Sequence, residues 1–403
     1  MILATLGSDK SVSTVNAIMT EVFAGVKPEE IRIYREDSNG LGERKAKLEG
    51  ALRLLGLSPQ IREVVVGNDI TSWRSRMREE SVNVLDITPG RKYMALTAFN
   101  YVMADQVRYA YILQESEGYR VFGYLPFHHL RLTDMRTGDV VKLDPPPVTG
   151  GEPISSLTAD SLTALYNVLS LKGKVGVKLP REYEDYEELC LFRSGFLRFS
   201  NEDLVTSKAR EGIIVADTNV YIRMGTRLAE LARVGRNLKL LPLRTVYDEL
   251  ASRAMNSSRD PNLFTFLLGL DAYNAIHRVP GERRGERSDV SILKEVRSIK
   301  SYVMEKVIFV TGDRELGSKA MGFGVDTVTL EGIRVGEGDR GTFLQCLGRI
   351  QARTGKARIL LDGKEVVEMG QTVAEGGELR TRVRTLVGEL NYAKVLEYLQ
   401  DLV

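Results

Sequence analysis

The sequence predicts an α/β protein with two open parallel-sheet domains. Short apolar strand signals alternate with helical periodicity over the first 125 residues, which is typical of a parallel sheet covered by helices. A second alternation opens with an apolar run at 213–216. Hydrophobic residues make up 43% of the 403 residues and charged residues 27%, an ordinary globular composition for two or three domains.

The N-terminal domain, residues 1–130, is expected to be Rossmann-like. Its strand signals lie at 2–6, 31–34, 61–66, 82–87, 109–113 and 121–124. Helical periodicity fits 13–23, 43–55, 72–78 and 93–105 between them.

Residues 131–210 are expected to hold a hairpin, a linker and a small connector. The hairpin covers 130–143, and the proline-rich segment 144–153 is the clearest linker in the chain. Helices at 161–171 and 182–189 and extended segments at 175–179 and 197–199 then suggest a winged-helix-like piece.

The second α/β domain, residues 211–335, carries strand signals at 213–216, 307–311 and 327–330. The extension 336–403 contains Asp362-Gly363, a preferred two-residue hairpin turn, between the runs 358–361 and 364–367. An amphipathic helix is predicted at 392–402, and no internal repeat is visible.

Composition excludes several classes of protein. No run of about 18 apolar residues predicts a membrane span, and the apolar start 1–7 lacks the basic region of a signal peptide. Cys190 and Cys346 lack metal-ligand spacing, so we expect buried apolar thiols in a reducing cytoplasm. A net charge of +2 argues against a surface that is basic throughout, but it allows a local basic groove.

Four acids of the second domain occupy positions where strands end or helices begin. Asp217 and Asp313 follow the apolar strands, Asp289 follows a candidate cap at Ser288, and Glu249 lies in an early helical turn. Any one aspartate at a helix start is more often a cap than a ligand, so the signal is the set of four. Asp248 competes with Glu249, and the apolar neighbours favour Glu249 as the inward acid.

Carboxylates converging at a sheet edge suit hard cations, so the expected cofactor is Mg²⁺ or Mn²⁺. The order of these motifs resembles the PIN nuclease family over residues 211–330, in VADTN (215–219), YDEL (247–250), SDVSIL (288–293) and VTGDREL (310–316). The resemblance implies that Asp217, Glu249, Asp289 and Asp313 bind metal and catalyse, and that the substrate is single-stranded RNA. It also implies that Thr218, Asn219 and Thr311 support the site.

The arginines before Asp289 fit either a solvated loop or a phosphate-gripping one, and their place beside the acids favours substrate binding. They are Arg278, Arg283, Arg284 and Arg287. We expect His277 to be a surface or core residue and not a catalytic base.

Two strand-to-helix loops of the first domain carry phosphate-binding chemistry. The loop 7–10 offers backbone N–H groups, a hydroxyl and a lysine, and the loop 86–92 places Arg91 and Lys92 at a helix N-terminus. Cations there oppose the helix dipole, by about 0.3–1 kcal/mol each, and an anionic ligand would remove the conflict. A well-capped turn with exposed basic residues is the alternative.

Together the loops resemble the CARF domain of CRISPR-associated proteins, in LGSDK (6–10) and DITPGRKYMA (86–95). The resemblance spans roughly 1–130 and implies a homodimer that binds a cyclic oligoadenylate. The implied ligand-binding residues are Ser8, Asp9, Lys10, Thr88, Gly90, Arg91 and Lys92.

These patterns lead to one hypothesis for function and two alternatives. The chain is expected to be a homodimeric, cyclic-oligoadenylate-activated, metal-dependent endoribonuclease of antiviral defence. The alternatives are a non-enzymatic nucleotide sensor with a degenerate nuclease domain, and a constitutive PIN toxin-like RNase.

Overall fold

The computed structural model describes residues 1–37, 40–113, 120–179, 184–256, 263–277, 289–349, 356–375 and 378–402. The chain forms two compact units: the first unit is 1–180 together with 351–403, and the second unit is 181–350. Both units combine helices with strands, and parallel pairing dominates the largest sheet, so the predicted α/β class is confirmed.

The N-terminal part of the first unit is a six-stranded sheet in the order β3-β2-β1-β4-β5-β6. Its first five strands are parallel, and β6 is antiparallel to β5. The elements are β1 (Ile2–Leu6), α1 (Ser11–Phe23), β2 (Glu30–Arg35), α2 (Arg44–Leu54), β3 (Gln60–Val65), α3 (Ile70–Arg78), β4 (Ser81–Asp86), α4 (Lys92–Tyr101), β5 (Met103–Ile112) and β6 (Leu130–Asp134). The order reverses between β1 and β4, as in doubly wound folds.

Two element predictions in this region are wrong. The helix expected over 93–105 ends at Tyr101, because Met103 begins β5 and pairs with Ser81 of β4. Strand pairing outweighs the local helical periodicity there. The strand expected at 121–124 is a turn in which Gly123 has a φ of +80°.

A five-stranded antiparallel sheet completes the first unit, in the order β7-β18-β17-β16-β8. Its elements are β7 (Ile154–Leu157), α5 (Ala159–Ser170), β8 (Val175–Lys178), β16 (Ala357–Leu361), β17 (Lys364–Glu375), β18 (Glu378–Thr385) and α15 (Tyr392–Leu399), numbered in chain order. Asp362 and Gly363 both have positive φ, so the predicted hairpin turn is confirmed. This sheet takes two strands from the expected connector 131–210 and three from the expected extension 336–403.

Residues 184–210 of the expected connector belong to the second unit. This unit contains α6 (Glu184–Ser194), β9 (Leu197–Phe199), α7 (Asp203–Ala209), β10 (Gly212–Ala216), α8 (Thr218–Met224), α9 (Arg227–Leu231), β11 (Arg233–Val234), β12 (Asn237–Leu238), α10 (Arg244–Asn256), α11 (Leu263–His277), α12 (Asp289–Tyr302), β13 (Lys306–Thr311), α13 (Arg314–Gly322), β14 (Asp326–Thr329), β15 (Ile333–Val335) and α14 (Arg340–Gly348). Its central sheet is parallel, in the order β10-β13-β14.

The central strands of the second unit are apolar because helices cover both faces of their sheet. Four of the five residues of β10 and five of the six residues of β13 are buried. Continuous apolar runs of this kind are typical of parallel sheets. Because these strands are parallel, their carboxyl ends lie together at one edge of the sheet.

The two cysteines differ from the expectation. Both are buried, as predicted, but a disulfide joins Cys190 of α6 to Cys346 of α14. Spacing in the sequence could not indicate the pair, because 156 residues separate them and only the packing of α6 against α14 brings them together.

In the part of the chain that the structure describes, no helix has the length and apolar character needed to cross a membrane.

Candidate functional site

Asp217 and Asp313 lie at one edge of the second unit's central sheet. Asp217 directly follows β10, and Asp313 follows β13 after one residue, Gly312. The two strands are parallel neighbours. Both aspartates are helix caps: Asp217 Oδ1 accepts from Val220 N at 2.9 Å, and Asp313 Oδ1 accepts from Glu315 N at 2.8 Å. The capping role expected for a single aspartate is therefore present at both positions.

Thr311 connects the two aspartates. Its hydroxyl donates a short hydrogen bond to Asp217 Oδ2 and accepts one from Asp313 N at 3.0 Å. Thr311 is fully buried, so these contacts fix the Asp217 carboxylate and the Asp313 backbone relative to the strand end. Thr311 therefore takes the supporting position that the sequence suggested for it.

Glu249, and not Asp248, faces this edge. Thr218 Oγ1, next to Asp217, donates to Glu249 Oε2 at 2.6 Å. Asp248 is buried on another side of α10, where its carboxylate lies 3.3 Å from Arg244. The register of α10 thus separates the two adjacent acids.

The acid edge, by which we mean Asp217, Glu249 and Asp313, is electrostatically unbalanced. Burial is the main cause that raises the pKa of Asp217 to about 6, and the negative charges of Asp313 and Glu249 raise it further. Hydrogen bonds from Thr311 and Val220 act in the opposite direction. Glu249 pairs with Arg253 at 3.1 Å, whereas within the described ranges neither aspartate has an ion-pair partner within 4.0 Å.

Asp289 is less closely joined to these acids. It is the exposed first residue of α12 and lines a cavity of about 490 Å³ with Lys319. The pKa of Lys319 is raised mainly by its hydrogen bond with Glu315 and further by the charges of Glu315, Asp289 and Asp313. Among the described residues, no three His, Cys, Asp or Glu side chains are grouped closely enough to hold a metal ion.

A second cavity, of about 430 Å³, lies beside the acid edge and is lined by Asn219, Gly312, Arg223 and Arg314. Asn219 lines this cavity, and its support of the acids stays a prediction. Arg314 is paired with Glu331 at 3.0 Å.

His277 is a half-buried residue whose Nε2 lies 2.7 Å from the Tyr221 hydroxyl. Burial lowers its pKa to about 4, so the ring is neutral at pH 7. The expectation for His277 was a surface or core position. Arg278, Arg283, Arg284 and Arg287 lie outside the described residues.

The two loops of the first unit lie side by side at the ends of β1 and β4, where the strand order reverses. Ligands of open α/β sheets bind in the crevice at such a point. Gly90 has a φ of +86°, and a Cβ there would lie 3.1 Å from Leu6 Cβ. At Gly7 a Cβ would lie 2.6 Å from Arg35 Cγ. Both glycines thus allow the loops to pack closely together and against β2.

Two of the predicted ligand-binding residues mainly hold the backbone. The Ser8 hydroxyl accepts from Lys10 N at 3.2 Å, and the Thr88 hydroxyl accepts from Ala110 N at 2.8 Å. Asp9 is exposed and lies 3.8 Å from Arg91.

The remaining predicted residues give the crevice exposed positive charge. Lys10 and Arg91 are the N-cap residues of α1 and α4, neither helix has a side-chain cap, and Lys92 begins α4. Arg91 pairs with Glu36 at 3.1 Å, a contact that the sequence did not suggest. Lys10 and Lys92 have no ion-pair partner within 4.0 Å in the described part of the chain.

A buried charged group lies directly beneath the second loop. Arg108 Nη1 donates to Glu21 Oε2 at 2.5 Å, and Asp86 Oδ1 accepts from Thr88 N at 2.8 Å. Burial, with the charge of Asp86, raises the pKa of Glu21 to about 8. Asp86 ends β4, so this group connects α1, β4 and β5 under the crevice. Sequence patterns do not indicate this group, because its members lie on three separate elements.

Known proteins offer few comparisons. No protein-family model and no curated protein matches the chain. Among solved structures, the chain is similar to Can2 from Sulfobacillus thermosulfidooxidans in complex with cyclic tetra-adenylate, with 11% identity over 82% of this chain and 95% of that chain and a TM-score of 0.31. It is also similar to protein VC1899 from Vibrio cholerae, with 10% identity over 81% of this chain and 93% of that chain and a TM-score of 0.29.

Proposed function

We propose that the chain is a metal-dependent endoribonuclease that cleaves single-stranded RNA at the acid edge and is activated by a cyclic oligoadenylate bound at the N-terminal crevice. The observation that carries the nuclease proposal is the acid edge itself. Three carboxylates belonging to separate elements face one strand edge, and the most buried of them has no cationic partner among the described residues.

The chemistry of these side chains fits a divalent cation. Carboxylate oxygens are the ligands that Mg²⁺ and Mn²⁺ prefer, and Mg²⁺ keeps several waters, so a few protein oxygens suffice. Asp217, Glu249 and Asp313 would hold the ion, with Asp289 next to them. When bound, such an ion activates water and stabilises charge on a phosphodiester.

The chain's own residues position these ligands. Thr311 holds Asp217 and Asp313 together, and Thr218 holds Glu249 beside them. Because each hydroxyl is itself fixed by its helix or strand, the carboxylates are preorganised for the ion. Asn219 and the adjoining cavity leave room for a sugar-phosphate chain.

The regulatory part of the proposal rests on the crevice at the ends of β1 and β4. Two helix N-termini without side-chain caps meet Lys10 and Lys92 there, and helix N-termini favour anions. A cyclic oligoadenylate carries several phosphates and would compensate these charges. Ligand can regulate the nuclease only by binding the active arrangement more tightly than the inactive one.

The homodimer is part of the same proposal. Leu96, one turn beyond Lys92 on α4, is 64% exposed. A second copy that covered this side chain would bring two crevices together around one cyclic ligand.

One observation favours the second candidate, a non-enzymatic sensor with a degenerate nuclease domain. The acids of the described residues are not grouped tightly enough for a metal. A measurement of Mn²⁺ binding distinguishes the nuclease from the non-enzymatic sensor, because a degenerate site takes up no ion.

The test is cleavage of a 5′-labelled single-stranded RNA by the full-length protein in Mn²⁺, Mg²⁺ or EDTA, with and without cyclic oligoadenylates of different ring size, including the tetra-adenylate. We expect cleavage that needs both metal and ligand. Asp313→Asn and Glu249→Gln should abolish it, whereas Asp248→Asn, one residue away on α10, should retain it. Metal-dependent cleavage of equal rate without ligand would favour the constitutive RNase, and full activity in EDTA or in Asp313→Asn would contradict the nuclease proposal.

A further inference from the structure

A groove lies between α12 and α13, and we call it the α12–α13 groove. Its walls are Asp289, Leu293 and Arg297 of α12 and Lys319 and Phe323 of α13. These side chains follow one another at intervals of four residues, and residues four apart lie on one face of a helix. Each helix therefore gives the groove one continuous wall, and the volume of about 490 Å³ is in the range of ligand sites.

The groove presents an exposed aromatic ring on a fixed backbone. Phe323 is 54% exposed, yet its N–H donates to Lys319 O at 3.1 Å and so ends α13. Gly324 follows with a φ of +72°, and Val325 N donates to Ala320 O at 3.1 Å, which closes the helix end. The ring is thus held in solvent by a rigid element.

The groove also carries unpaired positive charge. Lys294 and Arg297 on α12 have no ion-pair partner within 4.0 Å in the ranges that the structure describes, and the Arg297 guanidinium lies 5.9 Å from the centre of the Phe323 ring. Lys319 adds a third cation, paired with Glu315 at 2.6 Å. Cations beside an exposed ring suit a ligand with both phosphates and flat bases.

We propose that the α12–α13 groove is a binding subsite for single-stranded RNA, in which a base stacks on Phe323 and Lys294 and Arg297 contact phosphates. Aromatic side chains interleaved with cations bind single strands without reading their sequence. This inference rests on the proposed function for its choice of ligand, because Asp289, a candidate metal ligand, lines the groove.

The position of the ring defines where the strand lies. Phe323 follows the nine-residue helix α13, and such a helix is roughly 13 Å long. The base on Phe323 therefore lies about one helix length from Asp313, on the strand that extends away from the cleaved bond. The subsite contributes to binding and not to the chemical step.

The experiment measures binding of a fluorescein-labelled oligouridylate of about 12 nucleotides to the full-length protein in EDTA, by fluorescence anisotropy. Phe323→Ala should weaken binding by about 5- to 150-fold, since stacking contributes about 1–3 kcal/mol per base. Phe323→Trp should restore it. Met321→Ala is the matched control, because Met321 is also 54% exposed on α13 but does not line the groove.

The charge contacts are tested by salt dependence, which a merely structural role would not change. Arg297→Gln and Lys294→Gln should each reduce the slope of log affinity against log salt by about 0.7, the value for one phosphate on a single strand. Arg210→Gln should leave the slope unchanged, because Arg210 does not line the groove. Phe323→Ala should lower affinity at constant slope.

The groove proposal is overturned if Phe323→Ala binds like wild type, or if Met321→Ala weakens binding equally. It is also overturned if an RNA duplex, whose bases cannot stack on the ring, shows the same loss in Phe323→Ala. Thermal melting of each variant shows whether it is folded. If Phe323→Ala is unfolded, recovery of RNA binding in Phe323→Trp supports the groove proposal, and failure to recover binding overturns it. The two proposals can fail separately. Asp313→Asn should bind RNA normally without cleaving it. If Phe323→Ala weakens RNA binding but the wild-type protein cleaves no RNA, the groove proposal stands and the nuclease proposal is wrong.

Discussion

At the scale of single residues, the environment of Asp217 connects stability with function. The carboxylate is 2% exposed, and its pKa of about 6 lies above the ordinary value of 3.8. At pH values between these two, Asp217 is deprotonated in the unfolded chain but still protonated in the folded chain. The folded state therefore loses stability as pH rises from about 4 to 6, and by 6 the loss is about 2–3 kcal/mol.

We expect Asp217→Asn to make the metal-free second unit more stable at pH 7, by up to about 2 kcal/mol, because the amide keeps the cap and carries no charge. The gain should vanish near pH 4. Urea unfolding in EDTA at both pH values measures it. Mn²⁺ should stabilise wild type and not Asp217→Asn, and a variant that gains nothing at pH 7 would contradict the assigned pKa.

In the N-terminal crevice, the charge of Lys92 is the feature that tests the proposed ligand site. Lys92→Glu should weaken binding of cyclic oligoadenylate by at least about tenfold, because a charged hydrogen bond contributes about 1.5–3 kcal/mol and the reversal adds repulsion. Isothermal titration measures the affinity. Lys45→Glu on α2 is the control, and equal affinity in Lys92→Glu and wild type would remove Lys92 from the site.

At the scale of elements, the disulfide fixes α6 to α14 across a sequence separation of 156 residues. A cross-link over so long a loop restricts the unfolded chain strongly, and native disulfides commonly contribute about 2–4 kcal/mol. Cys346→Ser should therefore lower the unfolding free energy of the second unit by that amount, and reduced wild type should match it. Unfolding curves with and without reductant provide the measurement, and identical curves would show that the link is absent in solution.

Elements whose signals are local in the sequence agree with their predictions. Strand and helix signals of the first 101 residues agree closely with β1 to α4, because each segment carries its own apolar period. The turn at Asp362 and Gly363 is equally local. The strands β7 and β18 were not predicted, because their partners lie far away in the sequence and pairing supplies the apolar surface that a single strand lacks.

At the scale of the whole molecule, the division into units determines which fragments can fold. Residues 181–350 contain a complete core and the disulfide, so this fragment should fold, bind Mn²⁺ and lose any response to cyclic oligoadenylate. The fragment 211–403 should fold poorly, because it removes α6 from α14 and leaves β16–β18 without β7 and β8.

Circular dichroism and a nuclease assay of both fragments test this division. A response of fragment 181–350 to ligand would place the sensor in the second unit. A well-folded 211–403 would instead show that the antiparallel sheet does not need its outer strands.

The sequence alone determined the α/β class, the two strand-to-helix loops and the acids at strand ends, because each depends on neighbours a few residues away. Only the tertiary structure decided that Glu249 and not Asp248 meets Asp217, since that depends on how α10 packs. It also decided the cysteine pair, the shared antiparallel sheet and the α12–α13 groove. Those features join residues from distant segments, and the free energy that joins them comes from packing and pairing, which local sequence patterns do not contain.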